Sequence, residues 1–154
     1  GHHQTTHLMV QFMLEHEFEG RRVLDMGCGT GILAILAAQK GAKDIVAIDI
    51  DDWSVQNSIE NAQRNKVEME TRLGGAEVLQ EELFDVILAN INLNILMADM
   101  QAYAEVLAPN GTIIFSGFYS RDLETLTNEA AKNGLSFMAS KQREGWTAAV
   151  FVKG

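Results

Sequence analysis

Hydrophobic residues along the chain fall into two alternating kinds of run. Residues 23–25, 45–48, 84–89 and 112–117 are short, almost continuous apolar stretches, as strands buried on both faces require. Between them lie longer segments whose apolar residues recur every three or four positions. Residues 32–40 are rich in Ala, Leu and Ile, and Gly41 can end that helix. Asp52 can cap the next helix, in which Val55, Ile59 and Ala62 share one face. Residues 93–107 place Leu93, Leu96, Met97, Met100 and Leu107 inward, and residues 120–133 form a further helix capped by Ser120 and closed by Gly134. A first helix is predicted over 6–18, with Leu8, Met9, Phe12 and Met13 as its stripe and Thr5 or Thr6 as its cap. A third strand is weakly signalled at 67–73, residues 74–82 show little periodicity, and Pro109-Asn110-Gly111 reads as a turn. Residues 135–141 and 146–152 read as paired strands around Gly145. Strands alternating with amphipathic helices predict an α/β domain: a mostly parallel sheet, helices on both faces, and an antiparallel strand at one edge.

Composition narrows this picture without changing it. The chain of 154 residues has 47% hydrophobic and 21% charged residues, enough for one domain with its own core. No run is long enough to span a membrane, and no signal peptide is visible. The lone Cys28 cannot form an internal disulfide, which fits a reducing compartment, so a cytoplasmic location is expected. A formal net charge of -9 disfavours direct nucleic-acid binding, which needs positive charge against phosphates. It suits a basic protein partner or serves solubility alone.

The most informative segment is Val23-Leu24-Asp25-Met26-Gly27-Cys28-Gly29-Thr30-Gly31, which leaves a strand and opens a helix. Gly27, Gly29 and Gly31 let the backbone turn sharply and let a ligand approach. The next strand ends at Asp49, whose carboxylate can accept from both hydroxyls of a ribose. A dinucleotide fingerprint is similar, but its spacing is G-x-G-x-x-G, whereas this loop runs G-x-G-x-G. The loop also carries an acid, Asp25, placed to hold an amino group directly or through its hydrogen-bond network. Both details favour S-adenosylmethionine over a nicotinamide cofactor; a glycine-rich turn without a ligand is the bland alternative. Asn90 ends the central strand at the same sheet edge, where its amide offers a donor and an acceptor or caps the following helix.

At this loop the sequence resembles class I methyltransferases. More narrowly, it resembles the ribosomal protein L-eleven methyltransferases over nearly its whole length. Gly1-His2-His3-Gln4-Thr5-Thr6 is similar to the end of that family's F-G-T-G-x-H-x-T-T signature, and residues 23–38 to its glycine-loop stretch. Ile48-Asp49-Ile50-Asp51 is similar to V-D-I-D, and Ala89-Asn90-Ile91 to A-N-I-L, in place of the Asn-Pro-Pro-aromatic form of many amino-methyltransferases. Ser116-Gly117 and Glu144-Gly145-Trp146 also fit.

The resemblance implies a Rossmann-like class I fold with a seven-stranded sheet, and Thr6, Gly27, Asp49 and Asn90 as cofactor-contacting positions assisted by Thr5. It implies methyl transfer from S-adenosylmethionine to lysine or N-terminal amines of a large-subunit ribosomal protein. It also implies that residues 1–154 are the catalytic domain, with the family's N-terminal recognition domain absent. Methylation of a small molecule or RNA, and a cofactor-binding fragment without activity, are the alternatives. Asn92 and Asn94 fall where the family varies, which leaves the acceptor open.

Asn90 is the expected catalytic position, as an orienting rather than a basic group. No general base is evident, and an amine with a reference pKa near ~10.4 must lose its proton before attack. Cys28 has no histidine partner and is expected to take no nucleophilic part. Trp53, Phe118 and Trp146 are candidate pocket walls, Trp53 near an adenine. His3 and His7 share helical spacing, but no metal site is expected.

Overall fold

The computed structural model describes residues 2–154. Gly1, part of the opening resemblance, lies outside the described residues. The elements run α1 (His2–Leu14), β1 (Arg22–Met26), α2 (Ile32–Gln39), β2 (Asp44–Asp49), α3 (Asp52–Arg64), β3 (Glu70–Leu73), β4 (Phe84–Asn90), α4 (Leu93–Glu105), β5 (Leu107–Tyr119), α5 (Leu123–Lys132), β6 (Leu135–Arg143) and β7 (Trp146–Lys153). Short 3-10 turns occupy Ala76–Val78 and Ser120–Asp122.

The strands form one seven-stranded sheet in the order β3-β2-β1-β4-β5-β7-β6. Pairing is parallel from β3 through β5. β7 runs antiparallel to both neighbours and sits between β5 and the outermost β6. The alternation of β1 explains the two layers. Leu24 and Met26 join the core beneath α4 and α5, while Val23 joins the core beneath α1 and α2. Strand order reverses between β1 and β4, so the loops leaving their carboxyl ends diverge and open a crevice.

Several boundaries differ from the sequence reading. α1 starts at His2 and ends at Leu14, so Thr5 and Thr6 are inside the helix and do not cap it. Its end is fixed from a distance: the Lys40 ammonium donates to the carbonyls of Met13 at 2.5 Å and His16 at 2.9 Å. Met13 lies in the last turn of α1, and His16 just beyond it, so Lys40 clasps the chain where it leaves the helix. Phe18 is buried from the following turn instead. α3 is capped by Asp51, whose side chain accepts from the Trp53 amide at 3.1 Å, rather than by Asp52.

The Pro109-Asn110-Gly111 turn exists as an excursion within β5. Leu107 pairs with Phe84 and Thr112 with Val86, and the residues between them bulge out through Asn110 at φ 66°. β6 and β7 close through Glu144 and Gly145, both at positive φ, as a tight two-residue hairpin demands. Among the described residues no helix is long and apolar enough to cross a membrane.

Candidate functional site

A crevice of about 680 Å³ opens at the carboxyl ends of the parallel strands. Gly27 after β1, Asp49 and Ile50 at the end of β2, and Asn90 and Ile91 at the end of β4 line it together. The size suits a nucleoside-sized ligand.

The glycine loop holds the crevice open by main-chain bonds. The amides of Gly27 and Cys28 both donate to the Ile48 carbonyl, at 2.8 and 2.9 Å, and so tie β1 to β2. Gly31 stands at φ 82° where α2 begins, and a Cβ there would come within 2.9 Å of the Ser58 Cβ. Only glycine takes that conformation and that close approach together.

Asp49 is fixed by two amides: Gly29 donates to Oδ2 at 2.9 Å and Asp51 to Oδ1 at 3.0 Å. Each carboxylate oxygen has about two acceptor positions, so one on each remains for a ligand. Burial, with the Asp25 charge adding, pushes the Cys28 thiol up to about 12. It is therefore a thiol at neutral pH and a poor nucleophile.

Asp25 lies wholly buried under the loop and is not part of the crevice lining. Both its carboxylate oxygens lack a hydrogen-bond partner. Burial raises it from 3.8 to about 7, the Asp49 charge adds to the rise, and the nearby Ala34 amide offsets part without closing a well-formed hydrogen bond. The folded pKa exceeds the unfolded one, so the folded chain holds a proton that the unfolded chain loses from about pH 4 upward. Stability from this group is full below the unfolded value and drains as pH rises toward 7. Asp25→Asn is expected to stabilise the chain at pH 8 by up to about 4 kcal/mol and to have little effect at pH 4. Urea unfolding at both pH values checks this; equal stability of the two proteins at pH 8 would contradict it.

Asn90 lines the crevice with its side-chain amide unengaged by the described residues, while its main chain pairs with Ser116. The helix-capping role belongs to Asn92, whose Oδ1 accepts from the Ile95 amide at 3.1 Å. Of the expected cofactor positions, Gly27, Asp49 and Asn90 meet in the crevice; Gly29 and Gly31 shape its loop. Thr5, which is buried, and Thr6 lie on α1 outside the lining.

The aromatic expectations are corrected. Trp53 is 75% exposed and outside the lining, where Ile50 stands instead. Phe118 is core, and Trp146 packs on Tyr119 with ring centroids 4.1 Å apart. The sequence reading missed the wall formed by Gly74, Gly75, Ala76 and Glu77, and Asp99 and Tyr103 on α4. Adjacent glycines after a weak strand were the available signal for the first.

The family model for "Ribosomal protein L11 methyltransferase (PrmA)" matches residues 1–154. The chain belongs to the PrmA family. A ribosomal protein L11 methyltransferase of Porphyromonas gingivalis is 48% identical over 154 residues, covering 99% of this chain and 53% of that protein. One of Bacteroides fragilis is 47% identical, with 99% and 55% covered. The crystal structure of a ribosomal protein L11 methylase from Lactobacillus delbrueckii subsp. bulgaricus superposes with a TM-score of 0.91 at 28% identity, covering 97% of this chain and 78% of that one. This PrmA chain spans about half the length of the curated relatives it matches.

Proposed function

We propose that this chain is the catalytic domain of an S-adenosylmethionine-dependent protein N-methyltransferase. Its acceptors are lysine side chains or the N-terminal amine of a large-subunit ribosomal protein. The observation that carries this reading is the meeting of Gly27, Asp49 and Asn90 in one crevice at the sheet's switch point, in a chain of the PrmA family. Asp49, with an acceptor position free on each oxygen, would take the ribose hydroxyls. Gly27, lacking a side chain, lets the amino-acid part lie against the loop. Asp25, buried behind that loop, lies outside the lining and makes no contact with the crevice.

When bound, the cofactor supplies a sulfonium-activated methyl group, so the protein's task is chiefly positioning. The free Asn90 amide would orient the acceptor amine for in-line attack. The neutral amine's lone pair would form the N–C bond as the C–S bond breaks, the electron pair leaving on sulfur with S-adenosylhomocysteine, and the proton released by the methylated amine would pass to water. Asn90 is not basic and takes no proton. The formal net charge of -9 suits a basic protein acceptor better than RNA.

Asn90→Ala is expected to keep cofactor affinity within a few-fold while lowering methyl transfer to the ribosomal protein about a hundredfold, the cost of a misplaced reactant. Single-turnover transfer of labelled methyl, beside calorimetric binding, checks it. Binding without transfer in both proteins would instead favour a cofactor-holding part that needs the rest of the relatives' length to engage its acceptor.

A further inference from the structure

β2 and β3 end side by side, with Asp49 in register with Leu73, and α3 begins just beyond at Asp52. At that corner Ile50, Trp53 and Leu73 are 72%, 75% and 52% exposed. Single exposed apolar residues are ordinary, but three at one corner make a patch, and tryptophan is among the side chains that most often anchor a protein partner. Ile50 also lines the crevice, so the patch continues from its mouth. The charge around the patch has one sign. No Lys or Arg occurs between Lys43 and Arg64, or between Arg72 and Arg121. Those two stretches supply the ends of β2, β3 and β4 and the loops that leave them. Arg72 itself is 9% exposed and held by Glu70 and Glu82. Asp51 and Asp52 are both exposed beside Trp53, and Asp52 takes part in none of the ion pairs among the described residues. An apolar anchor set among unopposed acids complements a cationic partner. A second copy of this chain, whose net charge is also -9, would set these acids against their like.

We propose that a basic segment of the acceptor protein docks on this corner. An apolar side chain of that segment lies against Trp53 and Leu73, and its lysines and arginines face Asp51 and Asp52. This rests on the reading of the chain as a protein N-methyltransferase and adds a docking surface for its acceptor. Trp53 and Asp52 both lie outside the crevice lining, so they act on acceptor affinity and leave cofactor binding and the chemical step alone. Burial of Trp53 supplies most of the affinity, while the exposed acids add a smaller, salt-sensitive part and set the sign of the partner.

The test is calorimetric titration of the chain with ribosomal protein L11 and with S-adenosylhomocysteine, beside steady-state methyl transfer to L11. Trp53→Ala should weaken L11 binding and raise its KM about tenfold, with kcat, the melting temperature and S-adenosylhomocysteine affinity unchanged. Asp52→Lys should weaken L11 binding about threefold at low salt, and less as salt rises. Met138→Ala, which removes another exposed apolar side chain from β6 at the far edge of the sheet, should change nothing. Unchanged L11 affinity in Trp53→Ala overturns the proposal. A loss of S-adenosylhomocysteine affinity in that variant also overturns it, by placing Trp53 on the cofactor. Light scattering that shows a wild-type dimer, absent in Trp53→Ala, would give the corner to a second copy instead. Wild type that binds S-adenosylhomocysteine but not L11 overturns the docking surface and leaves the cofactor site standing; binding of neither removes the functional reading and the proposal together.

Discussion

Glu82→Ala is expected to destabilise the chain by about 3–5 kcal/mol at neutral pH, the usual consequence of removing one member of a buried ion pair. The Glu82 and Arg72 side chains are only 7% and 9% exposed. Arg72 forks onto Glu82 through Nη1 at 2.7 Å and Nη2 at 3.1 Å, and the Gln80 amide adds a bond at 2.9 Å. Arg22, at the start of β1, reaches the same carboxylate at 3.4 Å. Glu82 thus ties β1 and β3 to the segment whose earlier residues, 74–77, wall the crevice.

The Arg72 hydrogen bonds lower the Glu82 carboxyl from 4.5 to about 2, against the opposing effect of burial. Its folded pKa is depressed, so its contribution is complete above about pH 4.5 and lost as pH falls toward 2. Over that interval it is worth about 3 kcal/mol. Asp25 has the opposite sign and the higher window, so the two groups together favour a stability maximum near pH 4 to 5. Glu82→Gln should flatten the loss between pH 5 and 3, which urea midpoints at those values would read. A cost below about 1 kcal/mol at pH 6 for Glu82→Ala would mean that the pair is not held as described.

What the sequence made legible follows from where the information lies. β1, β2 and β4 are buried on both faces, so their continuous apolar runs announce them, and the residues ending them, Gly27, Asp49 and Asn90, could be placed at one edge. β3 is short and half-exposed, which blurs its pattern. The 74–82 segment is held by Arg72–Glu82 and Glu77–Gly75 bonds, and such polar ties have no periodicity to read. The far end of α1 is held by Lys40, distant in sequence, so the local pattern could not place it, while Thr5 and Thr6, cap residues by type, stand inside the helix about one turn from its start. Asp51 and Asp52 are equal cap candidates by type, and only the bond to Trp53 decides between them. Asp99 and Tyr103 sit in a helix that reads simply as amphipathic. Their place on the crevice wall becomes visible only when α4 is laid across it.

Asp49→Ala is expected to lower affinity for S-adenosylhomocysteine about a hundredfold, near 2.7 kcal/mol, for loss of a charged acceptor to the ribose hydroxyls. The substitution also frees the Gly29 and Asp51 amides that this carboxylate now holds, so part of the loss comes from the loop. Asp49→Asn separates the two causes: its amide oxygen can keep one loop bond but carries no charge, so an intermediate loss assigns the remainder to charge. A second readout comes from Asp25, whose raised pKa includes repulsion from Asp49. Removing that charge should lower the Asp25 pKa and lessen the fall in stability between pH 4 and 7, so the variant binds more weakly while its stability declines less as pH rises. Calorimetric titration and urea unfolding on the same samples read both effects. Unchanged affinity would show that the ribose does not lie on Asp49, and an unchanged pH profile that the two carboxylates are not coupled through the loop.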